Sequence, residues 1–121
     1  MKLKIIDGVF SVCKVADYSG VDMSTPYVFT GLTEEEHSLV CPFSRVPANV
    51  TARNDGWRGF RIEGVLDFSL VGILSRISSL LAENGIGLFA VSTFNTDYIF
   101  TKSGNFDKAL DVLRSAGYEA E

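Results

Sequence analysis

The stretch that decides the fold runs from Phe60 to Phe100 and reads FRIEGVLDFSLVGILSRISSLLAENGIGLFAVSTFNTDYIF. At its start, apolar Phe60 and Ile62 alternate with charged Arg61 and Glu63, which is the period of a half-buried strand. The apolar spacing then changes to three and four residues, as on one face of a helix. This spacing is carried by Leu70, Ile73, Leu74, Ile77, Leu80 and Leu81. The stretch therefore predicts a strand followed by an amphipathic helix.

The residues after this helix predict two strands, a second helix and a short last strand. Asn84-Gly85 supplies a left-handed helix end, and Ile86–Ser92 and Asp97–Thr101 have the composition of adjacent strands. The second helix is predicted from about Asn105, as its cap, to Gly117, with four inward residues: Phe106, Ala109, Leu110 and Leu113. The residues from 118 to 121 remain for a final strand. The order β-α-β-β-α-β is that of a ferredoxin-like α+β unit, with an antiparallel sheet and both helices on one face.

The first half of the chain is rich in strand signals and poor in helix signals. Val9–Val15, Tyr27–Leu32 and His37–Cys41 have strand composition, whereas Asp17–Pro26 is polar and turn-like. Phe43–Trp57 contains several turn-forming residues and is predicted to be irregular, with at most one helical turn. We interpret this half as a reduced copy of the βαββαβ unit, with domains at residues 1–58 and 59–121.

Composition excludes several classes of partner. The chain has 121 residues, with 15 acidic and 11 basic side chains and a formal net charge of −4. An acidic chain without a basic cluster argues against nucleic acid and anionic membrane surfaces as partners. No segment approaches the roughly 20 apolar residues of a membrane helix. With only two cysteines, we expect reduced thiols and a cytoplasmic protein.

Candidate catalytic groups are few. His37 is the only histidine, so the sequence predicts no metal site, no cofactor and no catalysis. Cys41 lies four residues from His37 in the same predicted strand, about 13 Å away at roughly 3.3 Å per residue. A thiol enzyme using Cys41 or Cys13 is the least favoured alternative.

Two segments carry the composition of a ligand site. Gly72 costs a helix about 1 kcal/mol relative to alanine, which favours a role in the close approach of a ligand carboxylate to backbone N–H groups. The segment Ser92–Asp97 is dense in hydrogen-bonding side chains around Phe94, and Asp97 could accept a hydrogen bond from an ammonium group. The same residues are also good turn formers, which is the alternative interpretation.

At these residues the sequence resembles the ACT-domain family. The resemblance is carried by Gly64–Ile73, Leu81–Ile86 and, above all, Ser92–Tyr98. It is strongest to small tandem proteins similar to the CASTOR arginine sensors and to the regulatory domains of aspartate kinases. It implies tandem βαββαβ units, no catalysis, and binding of an amino acid at an interface between units.

The resemblance also implies where the ligand would lie. The ligand would face the backbone of Val71, Gly72 and Ile73 and the side chains of Thr93, Phe94 and Asp97. A facing unit would contribute Ile86, Gly87 and Leu88. One acidic residue of Glu34, Glu35 and Glu36, with Glu36 as the choice, would also contact the ligand. The family pattern often has threonine at the position of Val71, so one possible hydroxyl contact is missing here.

The number of units sets the expected assembly. The arginine sensors have four ACT units and this chain has two, so a composite site requires a homodimer. Both faces of the predicted strand from Ile86 to Val91 are apolar, which also requires cover by the other half or by a second chain. We therefore expect a homodimeric amino-acid sensor that signals to an unidentified protein partner. The alternative is an interaction module that dimerises through its sheets and has a vestigial ligand site.

Overall fold

The computed structural model describes residues 1–64 and 71–121. The chain divides into two compact units, one formed by Gly8–Trp57 and the other by Met1–Asp7 together with Arg58–Glu121. The described strands are β1 (Lys2–Val15), β2 (Phe29–Leu32), β3 (His37–Pro42), β4 (Val50–Ile62), β5 (Phe89–Ser92), β6 (Asp97–Lys102) and β7 (Glu119–Ala120). The helices are α1 (Ile73–Glu83) and α2 (Ser103–Ser115), and Phe43–Arg45 forms one turn of 3-10 helix.

The unit that holds both helices has the α+β architecture that the sequence predicts. Its strands are ordered β5-β6-β4-β1-β7, and β5 and β6 are antiparallel, with Phe89 opposite Phe100 and Ser92 opposite Asp97. The short last strand β7 is present and pairs in parallel with the beginning of β1. The first residues of β1 thus lie between β4 and β7, a placement that the sequence did not indicate.

The core of this unit confirms the predicted helix faces. Ile77 and Leu81 of α1 are fully buried, and all four predicted inward residues of α2 are buried with them. The strands contribute Phe60, Ile62 and Ile99, each 0% exposed. Burial of a large apolar side chain stabilises a fold by about 1.5–3 kcal/mol. The helices are therefore held by their apolar faces on the sheet.

The Gly8–Trp57 unit is built from strands and loops. Its strands are ordered β2-β3-β1-β4, and β1 pairs antiparallel with β3 from Phe10 opposite Pro42 to Val15 opposite His37. Four residues of these strands form a small buried cluster: Cys13, Val15, Leu39 and Cys41. Side chains from the connecting segments pack on this cluster: Tyr18, Val21, Val28 and Val46. Connecting loops thus cover the buried cluster of this unit.

The structure corrects several predicted boundaries. The strand predicted at Val9–Val15 begins at Lys2, and the segment predicted to be irregular up to Trp57 becomes strand β4 at Val50. The strand predicted from Ile86 begins only at Phe89, and the strand predicted from Tyr27 begins at Phe29. The predicted helical position of Leu70 and most of the Gly64–Ile73 segment lie outside the described residues.

The two helices also begin at positions other than those predicted. Helix α2 begins at Ser103, so Asn105 lies inside the helix and is not its cap. Gly72 is not in the first turn of α1 but is its N-cap, with φ 80° and ψ 0°. Backbone in this left-handed region is accessible to glycine without the Cβ clash that other residues suffer. The structural role of Gly72 therefore includes its backbone conformation.

Candidate functional site

One end of the helical unit brings the predicted site segments together. Strand β4 ends there, α1 begins there, and the turn between β5 and β6 lies beside the end of β4. The contact is made by Thr96, which is 5% exposed and donates a hydrogen bond from Oγ1 to the carbonyl oxygen of Ile62 at 2.7 Å. This buried bond fixes the Thr93–Thr96 turn at the end of the sheet where the α1 connection starts.

The hydroxyl of Thr93 is used within this turn. Its Oγ1 donates to the carbonyl oxygen of Thr96 at 3.0 Å and accepts from the Thr96 N–H at 3.4 Å. The backbone N–H of Thr93 donates to the same carbonyl at 2.9 Å. Thr93 is thus a turn-forming residue, as the alternative interpretation of the segment holds, and its hydroxyl is already occupied.

Three other predicted residues around this end are available to solvent. Val71 is 90% exposed and Phe94 is 78% exposed, values far above those of most large apolar side chains. Asp97 is half-buried at the start of β6, and its carboxylate makes no hydrogen bond or ion pair within the described residues. This end of the unit therefore combines exposed apolar surface with an unpaired carboxylate.

A cleft of about 360 Å³ lies at the beginning of α1. Its lining includes all three predicted backbone residues, Val71, Gly72 and Ile73, together with Arg76 and the Ala116–Tyr118 connection between α2 and β7. Within the described residues no side chain caps this helix end, and its first backbone N–H groups, like those of any α-helix, have no partner inside the helix. These donors, the helix dipole and the Arg76 guanidinium all favour an anion such as a carboxylate.

Arg76 is the residue that sequence reasoning missed. The helical periodicity places it on the polar face of α1, where most charged residues are merely solvated. Its position could have pointed to the site, because residues four apart lie on the same face of a helix and Arg76 comes one turn after Gly72. The Arg76 N–H donates to the Gly72 carbonyl at 2.9 Å, so this backbone bond joins Arg76 to the N-cap residue of α1.

The lining of this cleft does not include the predicted contact residues Ile86, Gly87 and Leu88 of the same chain. They lie between α1 and β5, and Leu88 is separated from Thr93 by five residues, about 16 Å at strand spacing. Ile86 is 4% exposed in the core, and its N–H donates to the Leu81 carbonyl. Gly87 is exposed and Leu88 is half-buried. Their predicted contribution from a facing unit stays a prediction.

Glu36 lies in the other unit, in a turn built like that of Thr93. Strands β2 and β3 have the same lengths as β5 and β6, and Thr33 donates its N–H to the Glu36 carbonyl at 3.0 Å. The Thr33 hydroxyl accepts hydrogen bonds from the N–H groups of Glu35 and Glu36 at 3.2 Å each. Glu34 and Glu35 are exposed and Glu36 is half-buried.

The two thiols have the properties of packed core groups. Burial raises the pKa of Cys41 to about 11, with a smaller contribution from the neighbouring Cys13. Burial likewise raises the pKa of Cys13. The thiolate is the reactive form, so both shifts disfavour nucleophilic chemistry. His37 packs edge-on against the Tyr18 ring at 5.3 Å, and the described residues contain no group of three metal-ligating side chains.

Comparisons with known proteins agree with this architecture. A family model described as an ACT domain matches residues 52–115. The crystal structure of protein Atu0741 from Agrobacterium tumefaciens is 33% identical, with a TM-score of 0.87 over 99% of this chain and 91% of that one. No curated protein matches the sequence significantly. No described helix has the length and apolar composition needed to cross a membrane.

More distant structures share the fold alone. Protein VC0802 from Vibrio cholerae, described as a possible transport protein, is 20% identical with a TM-score of 0.70, over 94% of this chain and 88% of that one. The ligand-free regulatory subunit of aspartate kinase from Thermus thermophilus is 10% identical with a TM-score of 0.62, over 95% and 97%. With the family model spanning more than half of its residues, the chain belongs to the ACT-domain family.

Proposed function

We propose that the protein is a non-catalytic regulatory module that binds a small amino acid at the α1 end of its helical unit. The observation that carries this proposal is the α1 cleft, where Arg76 and the first backbone N–H groups of α1, which no described side chain caps, offer a site for a carboxylate. The unpaired Asp97 carboxylate near the end of the same sheet offers a partner for an ammonium group. An ACT fold like that of aspartate kinase regulatory subunits supports the assignment.

We further propose that a second copy of the chain completes the site. Val71 and Phe94 are highly exposed apolar side chains, and a partner subunit that covers them would exclude water from the ligand. In that arrangement, the partner's segment 86–88 would approach the cleft from the other side. Ligand binding at such an interface would favour one of two arrangements of the dimer. This change of arrangement would carry the signal to an unidentified protein partner in the cytoplasm.

The Gly8–Trp57 unit is proposed to be a reduced ACT unit. Its strand order, β2-β3-β1-β4, places the second, third and first strands side by side, as β5, β6 and β4 are in the helical unit. The Thr33–Glu36 and Thr93–Thr96 turns each close with an N–H to carbonyl bond between their first and fourth residues. These parallels support two ACT units in tandem, with residues 1–7 belonging to the helical unit.

A thermal-shift screen against the twenty amino acids tests the sensor function. A ligand at a hundred times its Kd adds about 2.7 kcal/mol to the free energy of unfolding, which raises the melting temperature by several degrees. Replacing Asp97 with asparagine should abolish the shift. Asp107→Asn is the matched control, because it removes the same charge from an exposed position on α2. An unchanged shift in Asp97→Asn places the site elsewhere, and the absence of any shift refutes the sensor function.

One observation favours a second function: the Thr93 hydroxyl is hydrogen-bonded within its own turn. If the turn serves only to shape the surface, the module acts through assembly alone and the ligand site is vestigial. Sedimentation of the wild type and of Phe94→Ser would then show a dimer weakened by the substitution, with no response to any amino acid. A dimer that responds to ligand supports the sensor instead.

A further inference from the structure

The two cysteines of the chain lie side by side in the Gly8–Trp57 unit. Cys13 is in β1 and Cys41 is in β3, the antiparallel neighbour of β1. Cys13 pairs with Leu39, the residue two before Cys41, so the two cysteines are diagonal neighbours on one face of the sheet. Their thiols are within hydrogen-bonding reach of each other. The sequence contains no other cysteine, so the fold brings both thiols of the chain together.

The surroundings of the pair are apolar. Cys13 is 4% exposed and Cys41 is 1% exposed, and both belong to the buried cluster that also contains Val15 and Leu39. No third metal-ligating side chain joins them in the part of the chain that the structure describes. An ion held between the two thiols would therefore have two sulfur ligands and an apolar surround.

The spacing of the pair suits a bridging metal ion better than a disulfide. Diagonal neighbours on antiparallel strands have Cα atoms about 7–8 Å apart, whereas a disulfide usually needs a Cα separation of about 4.4–6.8 Å. Two metal–sulfur bonds of roughly 2.3 Å each allow the sulfur atoms to lie up to about 4.6 Å apart. An ion can thus join the strands in this register without the backbone shift that a disulfide would require.

The number and type of ligands select the kind of ion. Structural zinc takes four ligands in a tetrahedron, and two thiols cannot supply them. Thiolates are soft ligands that favour Cu⁺. Both Cu⁺ and its analogue Ag⁺ are stable with two sulfur ligands in a line, and neither ion requires a carboxylate or a water ligand. The pair therefore fits a soft monovalent ion.

A positive charge lies near the two sulfur atoms. Burial raises the pKa of both thiols, and the charge of Arg53 acts on each in the opposite direction. The Arg53 guanidinium is held by Asp55, with Nε 3.0 and 3.2 Å from the two carboxylate oxygens. Asp55 in turn accepts a hydrogen bond from the buried Ser11 hydroxyl at 2.6 Å. A complex of Cu⁺ with two thiolates carries one negative charge, which Arg53 would partly balance.

A cavity gives access to the pair from solvent. Its volume is about 240 Å³, and it lies between the Gly20–Asp22 segment and the Ser44–Pro47 segment. Cys41 forms part of its wall, whereas Asp22 and Arg45 are exposed at its rim. An ion that enters this cavity can therefore reach the Cys41 sulfur first and the Cys13 sulfur beside it.

We propose that Cys13 and Cys41 form a binding site for one soft monovalent metal ion, of which Cu⁺ is the biological example. Binding breaks the two S–H bonds, forms two metal–sulfur bonds and releases two protons to solvent, with no change in the oxidation state of the metal or of sulfur. The ion would link β1 to β3 and so stabilise the Gly8–Trp57 unit. This inference does not rest on the amino-acid site at the α1 end of the other unit.

Transfer of Cu⁺ from the chromophoric chelator bicinchoninate to the full, reduced chain tests the proposal. The experiment is done under nitrogen and without thiol reductants, which would compete for the metal. Each chain should take up one ion, and Zn²⁺ in large excess should not displace it. Cys13→Ala and Cys41→Ala should each abolish the transfer. No transfer to the wild type, one ion for every two chains, or retained transfer in either cysteine variant overturns the proposal.

Two control variants separate the loss of a sulfur ligand from other changes. Val15→Ala shortens a side chain of the same buried cluster and removes no ligand atom. Met23→Leu removes an exposed thioether, which is also a soft ligand. Both variants should accept Cu⁺ as the wild type does. Loss of transfer in Met23→Leu would place the ion at the thioether and overturn the proposal.

A measurement on the wild type does not depend on whether the cysteine variants fold. One equivalent of the diamagnetic ion Ag⁺ should move the Cβ signals of Cys13 and Cys41 together in NMR spectra, and it should slow hydrogen exchange in β1 and β3. The amide signals of Gly72 and Asp97 should stay in place, so this site and the α1 site can fail independently of each other. Unmoved cysteine signals overturn the proposal and leave the amino-acid site untouched.

Discussion

At the scale of single residues, the threonines of the two equivalent turns have different roles, and these roles could not be told apart from the sequence. Thr93 and Thr33 close their turns with local hydrogen bonds, whereas Thr96 reaches out of its turn to the Ile62 carbonyl. In the other turn, Glu36 occupies the position that Thr96 occupies here. The density of polar side chains in Ser92–Asp97 is therefore explained in part by turn structure. The Asp97 carboxylate takes no part in the turn and has no hydrogen-bond partner among the described residues.

The buried bond of Thr96 should matter for stability. Replacing Thr96 with valine keeps the shape of the side chain but leaves the Ile62 carbonyl without this donor. Loss of one partner of a buried hydrogen bond costs about 1–3 kcal/mol, so the free energy of unfolding in urea should fall by that amount. Thr51→Val is the matched control, because Thr51 is exposed and donates to the Lys14 carbonyl at a longer 3.3 Å. A loss equal to that of the control would show that the bond is not retained in solution.

At the scale of elements, the sequence identified those whose burial pattern is periodic. Both helices bury the residues that their spacing predicts, from Ile77 and Leu81 in α1 to Phe106 and Leu113 in α2. Their ends were less predictable, because α2 begins directly after β6 without a side-chain cap.

The sequence predicted β1 and β4 to be shorter than they are, and two glycines explain the difference. Gly8 follows Asp7 and Gly56 follows Asp55, and such pairs signal a turn in sequence. In the structure each glycine has a positive φ, 96° and 83°, inside a continuous strand, as in β-bulges. A bulge and a turn have the same sequence signal, so the extension of β1 and β4 could not be derived.

The α1 N-terminus gives a prediction at this scale. A Cβ at position 72 would meet no atom of a described residue within 4 Å, so the cost of Gly72→Ala is expected to come from its φ of 80°. We expect a loss of about 1–2 kcal/mol in the free energy of unfolding, the cost of left-handed backbone for an L-residue. Gly104→Ala is the control: it is also in open space, but inside α2, where alanine should stabilise by up to about 1 kcal/mol. Opposite signs by chemical denaturation support this account, and equal effects contradict it.

At the scale of the whole molecule, the two compact units are not consecutive in sequence, because one of them combines residues from both ends of the chain. Residues 1–7 belong to the compact unit formed mainly by 58–121, where β1 pairs with β7 and Leu3 is 1% exposed in the core. Hydrophobic periodicity could not reveal this, because strand pairing between distant segments leaves no local pattern. The segment from 59 to 121 contains the βαββαβ order, but it lacks the strand on which its last strand pairs.

The dependence of the helical unit on the first residues gives a test of the domain boundary. Leu3→Ala removes a fully buried side chain, and such substitutions cost about 2–5 kcal/mol. Val9→Ala is the control on the same strand, since Val9 is 42% exposed and should cost well under half as much. Hydrogen exchange should show the loss for Leu3→Ala in the amides of α2 and β7. Two results together would contradict this dependence: Leu3→Ala leaves that protection intact, and a fragment of residues 59–121 folds with the native stability of the unit. The boundary at residue 58 would then delimit an independent domain, and the first strand would be dispensable.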